Sequence, residues 1–177
     1  MTHRRITRAD ASALLEVAQR TRHPRRDSAL IALLLDSGAR RGELAALNEG
    51  DLDVDRGAVR LGSGTSERWL RLGGSTLDLL RGPGRSLFGS DGRAPTARTA
   101  HELLRRLAGS IGLVGGLTCR DTRRTWLAEA AASHSLPVVL RLADHRSARV
   151  RRASAEDAWA AQCEPGWMSP VDRLLSL

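Results

Sequence analysis

The spacing of apolar and polar positions divides the 177-residue chain into a helical first stretch, a β-patterned middle and a helical second half. Thr7-Arg8-Ala9-Asp10 has the form of a capping box, with Asp in place of Glu. Leu14, Leu15 and Val17 follow at helical spacing, so a first helix is expected from about Arg8 to Arg20. Pro24 suits the first turn of a second helix, which carries the apolar run Ala29 to Leu35 and stops near Gly38. So continuous a run predicts burial on most sides. A short third helix is expected over Arg41 to Leu47. The period then shortens. Gly57-Ala58-Val59-Arg60-Leu61 and Arg68-Trp69-Leu70-Arg71-Leu72 both alternate, and the turn formers GSGTSE lie between them, which predicts a β-hairpin.

A helix around Ser75 to Leu80 and the Gly/Pro-rich loop RGPGRSLFGSDGRAPT lead into the second half. Thr96 to Leu107 places Leu103, Leu104 and Leu107 on one helical face, and Thr118 to Ala132 carries Trp126 and Leu127. Pro137 opens a short helix with Val138, Val139, Leu140 and Leu142. Ser147 to Ala161 reads as a further helix, basic at its start and apolar around Ala158 and Trp159. The segment CEPGWMSPVDRLLSL breaks at Pro165 and Pro170. With no internal repeat and no long linker, the expected fold is α+β and mostly helical, with a small antiparallel sheet. Residues 1–162 are expected to form one domain and residues 163–177 a tail.

Charge changes the picture. The net charge is +8, and all 28 basic residues are arginine. Such a balance points to a polyanionic partner, most simply nucleic acid, through counterion release; the plain alternative is a solvated basic surface. An aromatic content of 3% argues against binding single strands on stacked aromatic platforms. The longest apolar run, Ala29 to Leu35, is far short of a membrane span, and no apolar core follows the basic opening MTHRRITRAD. Cys119 and Cys163 lack metal-ligand spacing. These features predict a reduced, cytoplasmic, nucleoid-associated protein with no metal and no cofactor.

Three strings carry candidate chemistry. The first is Ser37-Gly38-Ala39-Arg40-Arg41-Gly42-Glu43-Leu44, followed by Leu47 and Asp51-Leu52-Asp53. The others are LTCRDTRRTW and LRLADHRSARVRR. Together, in order and over about Arg4 to Ala160, they resemble the catalytic domain of the tyrosine recombinases, the phage-integrase family. That family's strings are close to T-G-L-R-x-x-E-L with L-x-x-x-D-[IV]-D, then H-x-L-R-H-[ST], then L-[GA]-H. The likeness begins where that family's catalytic domain would begin, so the family's usual N-terminal core-binding domain is not expected here.

The resemblance implies a DNA-cutting constellation: two arginines gripping the scissile phosphate, a tyrosine nucleophile, a hairpin lysine that protonates the leaving oxygen, and two assisting histidines. A phosphodiester gaining charge calls for planar, permanently protonated donors, hence arginine. Carried over by position, the first phosphate arginine is Arg40, with Glu43 one turn later as its orienting partner. The hairpin motif G-K-G-x-K-x-R falls on Gly62 to Arg68, so the lysine position holds Ser63 and the closing arginine is Arg68. The first histidine falls on Arg120, the second phosphate arginine on Arg123 and the second histidine on His145. The tyrosine position falls at or beside Ser154. The sequence contains neither tyrosine nor lysine. Arg40, Arg120, Arg123 and His145 are therefore the expected phosphate-binding residues, supported by Glu43, Arg68, Arg146 and Arg149.

Each of these has a plainer reading. Arg120, Arg123 and Arg124 share a helix on which Arg120 and Arg123 lie at i, i+3; that face either meets phosphate or is solvated, and Asp121 or Glu129 would then neutralise it. His145 either assists at phosphate or caps a helix C-terminus. Arg146, Arg149, Arg151 and Arg152 either track a DNA backbone or form a charged face. Ser154 is shorter and far less acidic than a phenol of pKa ~10, and has the look of an ordinary helix-surface residue. The leading expectation is a double-stranded-DNA-binding, integrase-like protein that no longer cuts. It would be a site-occupying, accessory or degenerate mobile-element protein, acting alone, with another copy, or beside an active recombinase. The alternatives are an active strand-cleaving recombinase that uses Ser154 or a partner-supplied tyrosine, and an interaction protein that keeps only the fold.

Overall fold

Helix α2 (Pro24–Ser37) is the axis on which the other elements assemble in a computed structural model that describes residues 5–81, 87–89, 91–145 and 152–175. Pro24 starts it, and every residue from Asp27 to Ser37 is buried. The uninterrupted apolar run thus has the predicted consequence, with α1 (Arg8–Ala18), α4 (Gly74–Leu80), α6 (Cys119–Ser133) and α9 (Pro170–Leu175) packed around it. Each fully buried leucine contributes about 1.5–3 kcal/mol, and Leu30, Leu33, Leu34 and Leu35 are all within 1% of full burial.

Between these lie α3 (Arg41–Ala46) and a three-stranded antiparallel sheet in the order β1 (Leu52–Asp53), β2 (Ala58–Leu61), β3 (Arg68–Arg71). The predicted hairpin is β2–β3, with Leu61 opposite Arg68. Strand β1 is an addition, since two residues are too few for an alternation to show. The hairpin loop needs glycine at position 62, where φ is +81° and a Cβ would lie 2.6 Å from the Ser66 carbonyl oxygen.

Helices α5 (Ala97–Ser110), α6 and α7 (Leu136–Leu142) follow the expected pattern, with α5 burying Ala100, Leu103, Leu104, Leu107 and Ala108. The last expected helix is shorter than its pattern. Residues 152–154 are not helical, and α8 (Ala155–Cys163) begins after Ser154; residues 147–151 of that expectation lie outside the described residues. The reason is local. The Ser154 hydroxyl accepts the Asp157 amide at 3.0 Å, and Ser154 is the N-cap rather than a helix-surface residue.

The C-terminal α9 packs on α1, α2, α4 and α6, with Val171 fully buried. Asp36, at the end of α2, accepts the Gly73 amide at 2.6 Å and the Val171 amide at 3.3 Å. Burial pushes this carboxyl up to about 6, against the pull of those hydrogen bonds. Among the described residues no helix is long and apolar enough to cross a membrane.

The turn leaving α2 sets the geometry that matters later. Gly38 caps the helix in the left-handed region (φ +56°), and the space a Cβ would fill is taken by Trp126 of α6 at 2.8 Å. Gly38→Ala therefore meets two penalties, a left-handed alanine and an overpacked ring contact. It should destabilise the fold by about 2–4 kcal/mol, read as a lower urea midpoint at unchanged slope.

Candidate nucleic-acid interface

The chain leaves α2 at Gly38, and two residues later Arg40 stands at the N-cap of α3. Its backbone amide donates to Glu43 Oε2 at 2.7 Å, satisfying one of the free donors of that helix start. Its side chain reaches across to the turn that follows α7. Nη1 donates to Glu43 Oε1 (3.1 Å) and to Asp144 Oδ2 (2.8 Å). Nη2 donates to the carbonyls of Ala143 (3.2 Å) and Asp144 (2.7 Å). Glu43 and Asp144 hold the Arg40 guanidinium above its ordinary pKa, although partial burial works the other way.

Arg123 arrives at the same turn from α6. It lies one helical turn before Trp126, so the ring that packs on Gly38 also brings Arg123 up to the end of α2. Its Nη1 donates to the Gly38 carbonyl at 2.9 Å and its Nη2 to the Ala143 carbonyl. The Ala143 carbonyl oxygen is thus shared by Arg40 and Arg123. Among the described residues no carboxylate forms an ion pair with Arg123. Burial, then repulsion from Arg40 and Arg68, pushes it down to about 10. It is still charged at neutral pH, in a place that favours an added anion.

The third arginine is Arg68 of β3, which is 3% exposed. It grips Glu43 in a fork, Nη1 to Oε1 at 2.7 Å and Nη2 to Oε2 at 3.0 Å, and its Nε donates to the Leu142 carbonyl at 2.5 Å. Glu43 therefore orients two arginines, Arg40 and Arg68. Their charges hold its carboxyl below the usual range despite burial. Arg152 completes the group by donating to Asp144 Oδ1 at 3.0 Å. Asp144 sits at φ +46°, in the left-handed region that Asp and Asn adopt more readily than other non-glycine residues. The cluster holds four guanidinium groups and two carboxylates.

An open cleft of about 390 Å³ borders the cluster, lined by Arg40, Glu43, Arg60, Ser63 and Ser66 among others. The lysine-position residue Ser63 is thus near Arg40, exposed, at the start of the hairpin loop. Arg120 is exposed near the start of α6, and no hydrogen bond or ion pair joins its side chain to another described residue. It shares a helix with Arg123, but only Arg123 turns into the cluster. The suggested neutralisers of that face are occupied elsewhere. Asp121 accepts the Thr118 amide and hydroxyl, and Glu129 pairs with Arg5 at 2.6 Å. His145 follows Asp144 directly and is exposed; its backbone amide donates to the Leu140 carbonyl at 2.8 Å.

Ser154 is exposed, and its hydroxyl donates to Asp157 Oδ2 at 2.7 Å. That carboxylate belongs to the cap of α8 rather than to a base in the cluster. Arg146, Arg149 and Arg151 lie outside the described residues. Asp144 is the participant that sequence reading passed over. Its only signal was its place beside His145, and whether it meets an arginine is decided by the turn. Among the described residues there is no group of His, Cys, Asp and Glu side chains fit to hold a metal.

The buried fork invites a direct test. Glu43→Gln would leave the Arg68 guanidinium buried without a counter-charge. Its cost should be about 3–5 kcal/mol by chemical denaturation. Glu43→Leu with Arg68→Met should recover much of the loss.

No curated protein matches the chain. Solved structures do. An XerA recombinase superposes with a TM-score of 0.69 at 19% identity, over 93% of this chain and 66% of that one. The integrase of mycobacterium phage Brujita gives 0.66 at 21% identity, over 99% and 63%. A Tn1549 transposon integrase in complex with transposon right-end DNA gives 0.65 at 15% identity, over 92% and 66%. The chain thus spans slightly less than two thirds of these proteins' lengths, and at these identities they share its fold. The family model described as the phage integrase family matches residues 4–153. The chain, with its helical body, its three-stranded sheet and its ordered arginine strings, belongs to the phage integrase family.

Proposed function

We propose that this protein binds double-stranded DNA through the Arg40–Arg123 cluster and acts in DNA integration or recombination without cutting strands itself. One observation carries the reading. Two arginines from distant parts of the sequence converge on one carbonyl, and Arg123 brings a positive charge there that no carboxylate pairs with among the described residues. A backbone phosphate supplies the missing anion, and the net charge of +8 supplies the long-range attraction. Arg120, exposed and near the start of the same helix as Arg123, would extend the contact, with His145 and Arg152 at its other edge.

The chemistry of cutting is what this chain does not supply. Its sequence has no phenol to form a phosphotyrosyl bond and no ammonium to protonate a leaving 5′ oxygen. Ser63 cannot act as a cationic acid, and the Ser154 hydroxyl is committed to capping α8. Proton management of this kind is worth ~10²–10⁴-fold in rate. The reading is therefore of a site-occupying or accessory partner, working with another copy of itself or beside an active recombinase.

Duplex DNA should bind with a log–log salt slope equivalent to about four to eight neutralised phosphates. Arg123→Ala should weaken binding by about 1.5–3 kcal/mol, the worth of a hydrogen bond to a charged group. Salt-independent binding, or an Arg123→Ala variant that binds like the parent, would refute the reading.

A labelled nicked duplex incubated with the protein and run on a denaturing gel should show no covalent band. A band that disappears in Ser154→Ala would make the protein a strand-cutting enzyme with a serine nucleophile.

A further inference from the structure

The donors of Arg40 are nearly exhausted. A guanidinium has five N–H groups. In this structure both Nη1 hydrogens are taken, by Glu43 and the Asp144 carboxylate, and both Nη2 hydrogens by the carbonyls of Ala143 and Asp144. Among the described residues only the Nε–H has no partner. An incoming phosphate therefore meets an arginine whose fork already holds an anion. That anion is the Asp144 carboxylate, 2.8 Å from Arg40 Nη1 and 3.0 Å from Arg152 Nη1. One carboxylate bridges two arginines with its two oxygens, a pairing that the two free oxygens of a phosphodiester could also make.

Two further features mark this contact as displaceable. Asp144 is the only non-glycine residue with positive φ among the described residues, so its turn is held in a sparsely populated conformation. Its pair with Arg40 is also not deeply buried, with side-chain exposures of 39% for Arg40 and 18% for Asp144. The buried pairing of the cluster is the Glu43–Arg68 fork, which can hold the scaffold while Asp144 leaves.

We propose that Asp144 is a tethered internal anion that occupies the phosphate seat of Arg40 and so decides which anions the clamp accepts. The inference rests on the reading of Arg40 as a phosphate contact and adds a selectivity to it. A carboxylate on the same chain competes at an effective concentration of about millimolar or more. Free monovalent or small anions rarely outcompete it. A duplex can, because its many other phosphate contacts hold the next phosphate beside Arg40 and convert the exchange into an intramolecular one. Asp144 thus makes the clamp answer to polymeric DNA and ignore free phosphate.

The experiment uses Asp144→Asn and Asp144→Gly, both of which tolerate the left-handed turn, so neither should unfold the chain. Two readouts are compared with the parent at one pH and matched ionic strength: the thermal midpoint against inorganic phosphate, and affinity for duplex DNA. The parent should show no phosphate-specific rise in midpoint. Asp144→Asn should show one, Asp144→Gly a larger one, and adding Arg40→Ala to either should remove it. DNA should bind both single variants about tenfold tighter, as expected when a charge-assisted contact is lost from the competitor. The proposal is overturned if phosphate shifts the variants no more than the parent, or if the gain survives Arg40→Ala. The two readings separate cleanly. Phosphate gain without any duplex binding upholds the role of Asp144 and defeats DNA as the partner. Duplex binding that falls in Arg40→Ala and Arg123→Ala but is unchanged in both Asp144 variants, with no phosphate gain, upholds DNA and defeats the gate.

Discussion

The turn after α7 presents two consecutive carbonyls, of Ala143 and Asp144, to a pair of guanidinium groups that arrive from α3 and α6. Everything that makes the cluster a site depends on that meeting. Arg40 alone would be a helix-start arginine in solvent, and Arg123 alone a polar break in a helix face. Held on one carbonyl, they become a cationic seat with fixed geometry. The cost is burial of a charge and then electrostatic crowding, both visible in the depressed Arg123, and it is offset by the carboxylates of Glu43 and Asp144.

Two supports hold the meeting in place, and they differ in kind. One is steric: Gly38 and Trp126 approach so closely that no side chain fits between them, which fixes α6 against the end of α2 and sets Arg123 at the Gly38 carbonyl. The other is electrostatic: the Glu43–Arg68 fork ties α3 to β3, and Arg68 in turn holds the Leu142 carbonyl. The scaffold is therefore stiff on three sides. The fourth side is the left-handed turn at Asp144, and the proposal makes its carboxylate the exchangeable partner. A backbone-binding surface benefits from this division, because preformed cations avoid the cost of ordering long side chains at the moment of binding.

On the proposed reading, the Asp144 carboxylate on Arg40 bears on how this fold can serve binding. The positions that the family resemblance gives to the acid and the nucleophile carry Ser63 and Ser154, and the Ser154 side chain has a local use. Ser63 opens the hairpin's 3-10 turn, and Ser154 caps α8. On the proposed reading the arginines keep their attraction for phosphate, while Ser63 and Ser154 supply neither a cationic acid nor a phenol.

The sequence by itself determined the elements, because periodicity and caps are short-range. The apolar run Ala29 to Leu35, opened by Pro24 and closed by Gly38, read as a buried helix, the two alternating stretches around GSGTSE as a hairpin, and the order of the arginine strings marked the family. Where short-range signals compete, the reading was incomplete. The S-x-x-D cap at Ser154 ended a helix pattern that periodicity had extended back to Ser147, and β1 was too short to register. Only the tertiary structure decided which charges meet. Arg120 and Arg123 are equivalent by spacing, yet Trp126 packing on Gly38 turns Arg123 inward and leaves Arg120 in solvent. Asp144 has the same composition value as any other aspartate, and it became the anion on Arg40 because a left-handed turn aims it there. Pairing energies depend on distance and burial, and those are properties of the packed chain rather than of the residue order.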